Sequence, residues 1–254
     1  MARLRAEGGC AWDRQQTHQS LKRSLVEEAS ELLDAIDDQD DASLRDELGD
    51  VLLQVVFHAQ IAADEGRFDI QDVGRTLCEK LVRRHPHVFG QAHAATPDQV
   101  TTQWEEIKKQ ERKGKGQGPG GGALAGVPRH LPALHRAHKI QDKAAKVGFD
   151  WPDSRGVLDK IEEELSEVRE AMASGDKDAA REEIGDLLFA VAKLSRFLGH
   201  PPEEALHQTI RKFERRFTRM EQWLADRGKT VESCGLAELE VLWNKAKLEE
   251  REHS

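Results

Sequence analysis

The sequence predicts an all-α protein built from two tandem copies of one helical unit. Three observations carry that prediction. Tyr is absent, aromatic residues make up 5% and charged residues 33%, whereas strands favour β-branched and aromatic side chains and helices favour Ala, Leu, Glu, Lys and Arg. Apolar residues recur at helical spacing beside carboxylates. Four blocks of sequence also occur twice, in the same order.

The repeats can be aligned by number. Val26 to Leu32 reads VEEASEL, and Glu162 to Val168 reads EEELSEV. Arg45 to Leu53 reads RDELGDVLL, and Arg181 to Phe189 reads REEIGDLLF. Both pairs are offset by 136 (162 − 26 and 181 − 45), so no insertion separates them. The block Lys80 to Arg84 returns at Lys212 to Arg216, and Trp104 to Lys108 returns at Trp243 to Lys247. This period is too long for a solenoid and fits a duplicated domain. A Gly-rich stretch with two prolines, residues 113–128, reads as a flexible linker. The expected organisation is an N-terminal helical domain over 1–112 and a C-terminal one over 129–254.

Within the first half, Leu25, Leu32, Leu33 and Ile36 form one apolar helix face. The polar run Asp37 to Ser43 ends it. Ser43 is expected to cap the next helix, with Asp46 and Glu47 in its first turn. Val51, Leu52, Val55, Val56 and Ala59 continue that helix. A short loop between two helices makes an antiparallel hairpin. The sequence His85-Pro-His87 offers two imidazoles to a metal, but reads better as an exposed loop after a helix. In the second half the hairpin recurs with its turn at Ser174 to Asp178, and Trp151-Pro-Asp153 ends an extended connector before the helix around Val157.

Net charge is −9, which argues against nucleic acid as a main partner. Cys10, Cys78 and Cys234 are scattered and odd in number, so neither a disulfide framework nor a thiolate metal site is expected. No apolar stretch has the length of a membrane span, and no signal peptide is read, so the expected compartment is the cytoplasm.

The chemistry lies in the carboxylates. Glu28 and Glu31 are one helical turn apart, as are Glu47 and Asp50, and such neighbours face the same way. In the second half the candidate catalytic carboxylates are Glu163, Glu164, Glu167, Glu183 and Asp186. If the two helices of a hairpin present these groups to each other, like charges converge and cations relieve the repulsion. Oxygen-only ligands suit Mg²⁺, with Mn²⁺ as a substitute, and Mg²⁺ pairs naturally with substrate phosphates. Lys160 lies one turn before Glu164. Lys212 and Arg216 are spaced i, i+4, as are Trp243 and Lys247. Lys and Arg hold phosphates, and Trp stacks on a base.

Each group also has a plainer reading. An isolated Glu-x-x-Glu is usually a solvated face, and a lone helix Trp is usually core. Gly116 to Gly121 matches GxGxxG in form only, since no strand precedes it. A ferritin-like di-metal bundle needs two Glu-x-x-His motifs. The matches, Glu204 with His207 and Glu250 with His253, do not follow the repeat. A non-catalytic nucleotide or metal sensor is the alternative function.

Taken together, the carboxylate motifs resemble the MazG family of nucleoside triphosphate pyrophosphohydrolases. The likeness extends to Cys10-Ala-Trp12-Asp13, Arg83 to Phe89, Lys139-Ile-Gln141, Val147 to Trp151 and Lys212 to Arg216, and so covers nearly the whole chain. Family members usually carry more helix before the Cys-x-Trp-Asp segment, where nine residues stand here. The resemblance implies an all-α fold whose four-helix active unit is completed by forming a homodimer. It implies Mg²⁺-dependent cleavage of NTPs and dNTPs between the α and β phosphates, giving a monophosphate and pyrophosphate, as in house-cleaning of nucleotide pools. It places metal at Glu164, Glu167, Glu183 and Asp186, and nucleotide at Lys160, Lys212, Arg216, Trp243 and Lys247. The second repeat is the expected main site. The position matching Lys160 in the first half is Ser24 (160 − 136), so a site at Glu28, Glu31, Glu47 and Asp50 lacks one cation.

Overall fold

A computed structural model describes residues 1–114 and 122–252 of the chain. The described residues form helices and turns, with no strand among them. They divide into two compact units, Met1–Gly116 and Gln117–Ser254.

Unit 1 opens with two short helices, α1 (Ala2–Arg5) and α2 (Ala11–Gln15). Its centre is a hairpin of α3 (Lys22–Asp38) and α4 (Asp41–Asp64). Then come α5 (Ile70–Arg84), the single turn α6 (Pro86–Phe89) and α7 (Pro97–Gly114). Unit 2 holds α8 (Ala133–Ala145), the hairpin of α9 (Ser154–Ser174) and α10 (Lys177–Phe197), and then α11 (Pro202–Ala225) and α12 (Leu236–Glu252). Helix α7 carries the chain through Gly114, two residues into the stretch read as linker. Residues 115–121 of that stretch lie outside the described residues, as does the GxGxxG match within it.

The hairpin turns are built alike. Helix α9 ends at Gly175, which takes the left-handed conformation (φ 75°), and Asp176 then caps α10 by accepting from the Asp178 and Ala179 amides. In unit 1 the matching residues are Gln39 (φ 56°) and Asp40. This corrects the expected cap. Asp40 starts α4, its carboxylate accepting from the Ala42 amide at 3.0 Å and the Ser43 hydroxyl at 2.7 Å. Reversal of the chain at Gln39 lets the helix begin at once, so Asp46 and Glu47 lie beyond its first turn. The exposed loop expected at His85 to His87 is also corrected. Pro86, whose ring pre-sets a helical φ, opens α6, and both histidines are half-buried.

Small cores hold these elements. In unit 1, Leu21, Phe57 and Ile61 are buried together, with Met1 packed on them. Arg5 ties the first helix to the end of α4 by a 2.7 Å bond to Asp64. In unit 2, Met220, Trp223 and Leu224 of α11 bury against Leu242 and Ala246 of α12. Gln141 on α8 donates to the Phe189 carbonyl of α10 at 2.8 Å. The loop Val147 to Trp151 is anchored by Asp150, which pairs with Lys193 at 2.8 Å and with Arg196. The Lys193 ammonium also sits 4.5 Å from the Trp151 ring centroid. Gly156 is required beside that indole, since a Cβ there would come within 2.3 Å of the Trp151 ring.

Much of the apolar surface of both hairpins remains open. Leu33 and Leu52 in unit 1 and Met172 and Leu188 in unit 2 are each more than half exposed. The helix faces read from the sequence as core are therefore only partly covered within one chain.

Candidate metal and nucleotide site

The α9–α10 hairpin brings the second-unit carboxylates together. Glu164, on the inner face of α9, is only 4% exposed. One oxygen each of Glu164, Glu167 and Glu183 lie within 4.8 Å of one another. Burial pushes the Glu167 carboxyl up, and the neighbouring Glu183 and Glu164 push it further. Asp186 is exposed and lies outside this close trio. The Lys160 ammonium bonds Glu164 at 2.7 Å and Glu163 at 2.9 Å. Those bonds raise the Lys160 pKa, Glu164 contributing most. Glu163 is thus exposed and turned to Lys160 rather than into the trio.

Unit 1 repeats the cluster with one exchange. Glu28, Glu47 and Asp50 form the close trio, while Glu31 is exposed at its margin. Burial raises the Glu47 pKa, and Glu31, Asp50 and Glu28 add to it. Where Lys160 stands in unit 2, Ser24 brings no charge. Instead the buried Gln54 of α4 donates to Glu28 at 3.4 Å. Gln54 is not among the residues that the sequence singles out. A buried amide on an otherwise apolar helix face was the available signal for its role.

The trios fit a hard divalent cation. All donors are carboxylate oxygens, and one Glu47 oxygen is shielded from solvent without a hydrogen-bond partner. A carboxylate buried in that way is costly unless a cation or donor meets it.

The expected nucleotide contacts lie mainly on α11 and α12. Lys212 lines an open groove of about 720 Å³ between the end of α10 and α11, beside Leu194, Gln208 and Arg211. Trp243 is half-buried, with the Phe213 ring at 5.0 Å and the Arg216 guanidinium at 5.8 Å. Lys247 is half-buried one turn further along α12. Helix α11 packs chiefly on α12 and more lightly on α8 and α10. Lys160 therefore joins the carboxylates directly, whereas Lys212, Arg216, Trp243 and Lys247 belong to a separate hairpin. Of the ferritin-like motifs, Glu250 is taken up by arginines and His207 faces Glu203. His253 lies outside the described residues.

A family model described as the MazG nucleotide pyrophosphohydrolase domain matches residues 16–89 and again 154–220. The chain belongs to the MazG family. Each match covers one hairpin with its carboxylates, so the two copies legible in the sequence are two MazG repeats. The chain is 51% identical to the nucleoside triphosphate pyrophosphohydrolase/pyrophosphatase MazG of Thermotoga maritima, over 97% of this chain and 92% of that protein. It is 46% identical to the nucleoside triphosphate pyrophosphohydrolase of Escherichia coli K12, over 98% of this chain and 95% of that protein. No described helix of this MazG chain is long and apolar enough to cross a membrane.

The first MazG repeat makes one electrostatic prediction. Glu111 on α7 is bonded by Arg84 and Arg83, which hold its carboxyl down to about 2 from an ordinary value of 4.5. A carboxylate depressed in the fold stabilises above its unfolded pKa, and that contribution is lost as pH falls through the folded value. Glu111→Gln should therefore lower stability at neutral pH. It should also flatten the fall between about pH 4.5 and 2 relative to the parent, as read by urea unfolding at a series of pH values. Parallel curves for the two proteins would contradict the pairing.

Proposed function

We propose that the second unit hydrolyses nucleoside triphosphates between the α and β phosphates, releasing a nucleoside monophosphate and pyrophosphate. The observation that carries this reading is the Glu164, Glu167 and Glu183 trio, with the Lys160 ammonium tethered beside it. Glu164, Glu167, Glu183 and Asp186 would hold Mg²⁺, with Mn²⁺ as a substitute. Bound there, such an ion polarises a phosphoryl group and lowers the pKa of water. The chain's own residues do the rest. Glu163 orients Lys160 through their shared bond. Lys160, Lys212, Arg216 and Lys247 neutralise the polyphosphate, and Trp243 offers a ring to the base.

The carboxylates and most of these cations stand on separate hairpins. The open apolar faces of α9 and α10 support assembly with a second chain, so that a homodimer completes the four-helix site. The trio Glu28, Glu47 and Asp50, with Glu31, forms a second and weaker site because it lacks the Lys160 cation. Nucleotide-pool house-cleaning in the cytoplasm is the setting that fits. The domain division we propose is 1–112 and 129–254, with the second domain as the main catalytic one.

Product analysis tests the reaction. Purified protein incubated with each NTP and dNTP plus Mg²⁺ should give monophosphate and pyrophosphate in a chromatographic assay. Diphosphate and orthophosphate would place the cleaved bond elsewhere. Saturable nucleotide binding without product would favour the sensor.

A further inference from the structure

One arrangement is built twice in this chain, once in each unit. In unit 2 the Glu250 carboxylate on α12 accepts from two successive arginines of α11. Arg215 Nη2 lies 2.8 Å from Oε1, and the Nε and Nη2 atoms of Arg216 both lie 2.7 Å from Oε2. In unit 1 Glu111 on α7 accepts from Arg83 Nε at 2.8 Å and from Arg84 Nε and Nη2 at 3.3 and 2.6 Å. The second arginine presents the same Nε–Nη2 edge each time. Each glutamate lies seven residues after a tryptophan (250 − 243 and 111 − 104) and three after a lysine (250 − 247 and 111 − 108). Trp, Lys and Glu therefore share one stripe of the helix.

The two arginines in a pair are held differently. Arg215 is 63% exposed, whereas Arg216 is 15% exposed. Arg216 also lies over the Trp243 ring, at 5.8 Å. The α11–α12 hairpin already has an apolar core in Met220, Trp223, Leu224, Leu242 and Ala246, so an ion pair is not needed to join the helices. A guanidinium is planar and carries five donors, so one carboxylate can fix its side edge while the Nη1–Nη2 edge stays available to a second anion. A long side chain held in this way has already given up its rotamer freedom before substrate arrives.

We propose that Glu250 is a positioning residue for the reaction, holding the Arg216 guanidinium side-on so that its remaining edge meets a phosphate of the substrate. The inference rests on the assignment of Arg216 as a nucleotide contact. Glu250 touches no substrate and acts through Arg216. Both Arg215 and Arg216 hold the Glu250 carboxyl below its ordinary range, so the clamp stays charged at neutral pH.

A double-mutant cycle in the full-length chain tests this. The variants are Glu250→Gln, Glu250→Ala, Arg216→Ala and the double alanine variant, each read for KM and kcat with ATP and Mg²⁺ and for melting temperature. Glu250→Gln keeps the side chain's shape, so it guards against simple loss of folding in Glu250→Ala. Both Glu250 variants should raise KM about tenfold with a far smaller change in kcat and in melting temperature. Added to Arg216→Ala, Glu250→Ala should cost nothing more, because its effect passes through the missing guanidinium. Losses that multiply in the double variant would overturn the positioning role. So would a drop in melting temperature at unchanged KM, which would make Glu250 a strap between helices. An unchanged KM in Arg216→Ala alone would remove the nucleotide assignment itself, and the inference with it.

Discussion

Replacing Glu167 by Gln should cut pyrophosphate release by about 10²–10³-fold or more while leaving the metal-free protein at least as stable as its parent. The two halves of this prediction have one cause. Glu167 shares its site with Glu164 and Glu183 at 4.8 Å or less, and burial with those charges already pushes its carboxyl up. Without metal, a neutral amide relieves repulsion within the trio. With Mg²⁺, the same substitution removes an anionic ligand, and the loss of developing-charge stabilisation should lower kcat by about 10²–10³-fold or more. Melting curves should cross over accordingly, Mg²⁺ stabilising the parent and having little effect on the variant. Sustained turnover in Glu167→Gln would sink the assignment of the second-unit trio as the catalytic metal site. A matching loss in Glu28→Gln would show that unit 1 also turns over.

Leu224→Ala should separate metal binding from nucleotide binding. Leu224 is fully buried between α11 and α12. Truncating a Leu at such a site costs about 3–5 kcal/mol through lost transfer energy and the cavity left behind. The damage falls on the hairpin carrying Lys212, Arg216, Trp243 and Lys247. The carboxylates stand on α9 and α10, which are packed around Val157, Val168, Ala171 and Ala190. Mn²⁺ titrated by its paramagnetic signal should thus bind near-normally while NTP affinity falls steeply. Equal loss of both would mean that the two hairpins do not hold their ligands independently.

The hairpins and their carboxylate pairs were legible because helical periodicity and a fixed offset are properties of the chain itself. Lys160 beside Glu164 is a local i, i+4 relation and could be read directly. Asp40 rather than Ser43 caps α4 because the chain takes a left-handed step at Gln39, which a non-glycine residue does not advertise. Convergence across α3 and α4 was readable in outline only. Glu31 and Asp186 obey the spacing yet sit outside the close trios, because which member of a pair turns inward depends on packing between helices. Gln54 and Glu250 act on partners 26 and 34 residues away, and no short motif encodes such pairings.

The two hairpin turns are copies of one device with unequal margins. Gly175 enters the left-handed region without a side chain to obstruct it, whereas Gln39 carries a Cβ there, at a cost of roughly 1–2 kcal/mol. That strain is borne at the hinge of the helix that presents Glu47 and Asp50. Of the two carboxylate sites, the one already short of a lysine also stands on the looser footing, so heat and denaturant should reach it first.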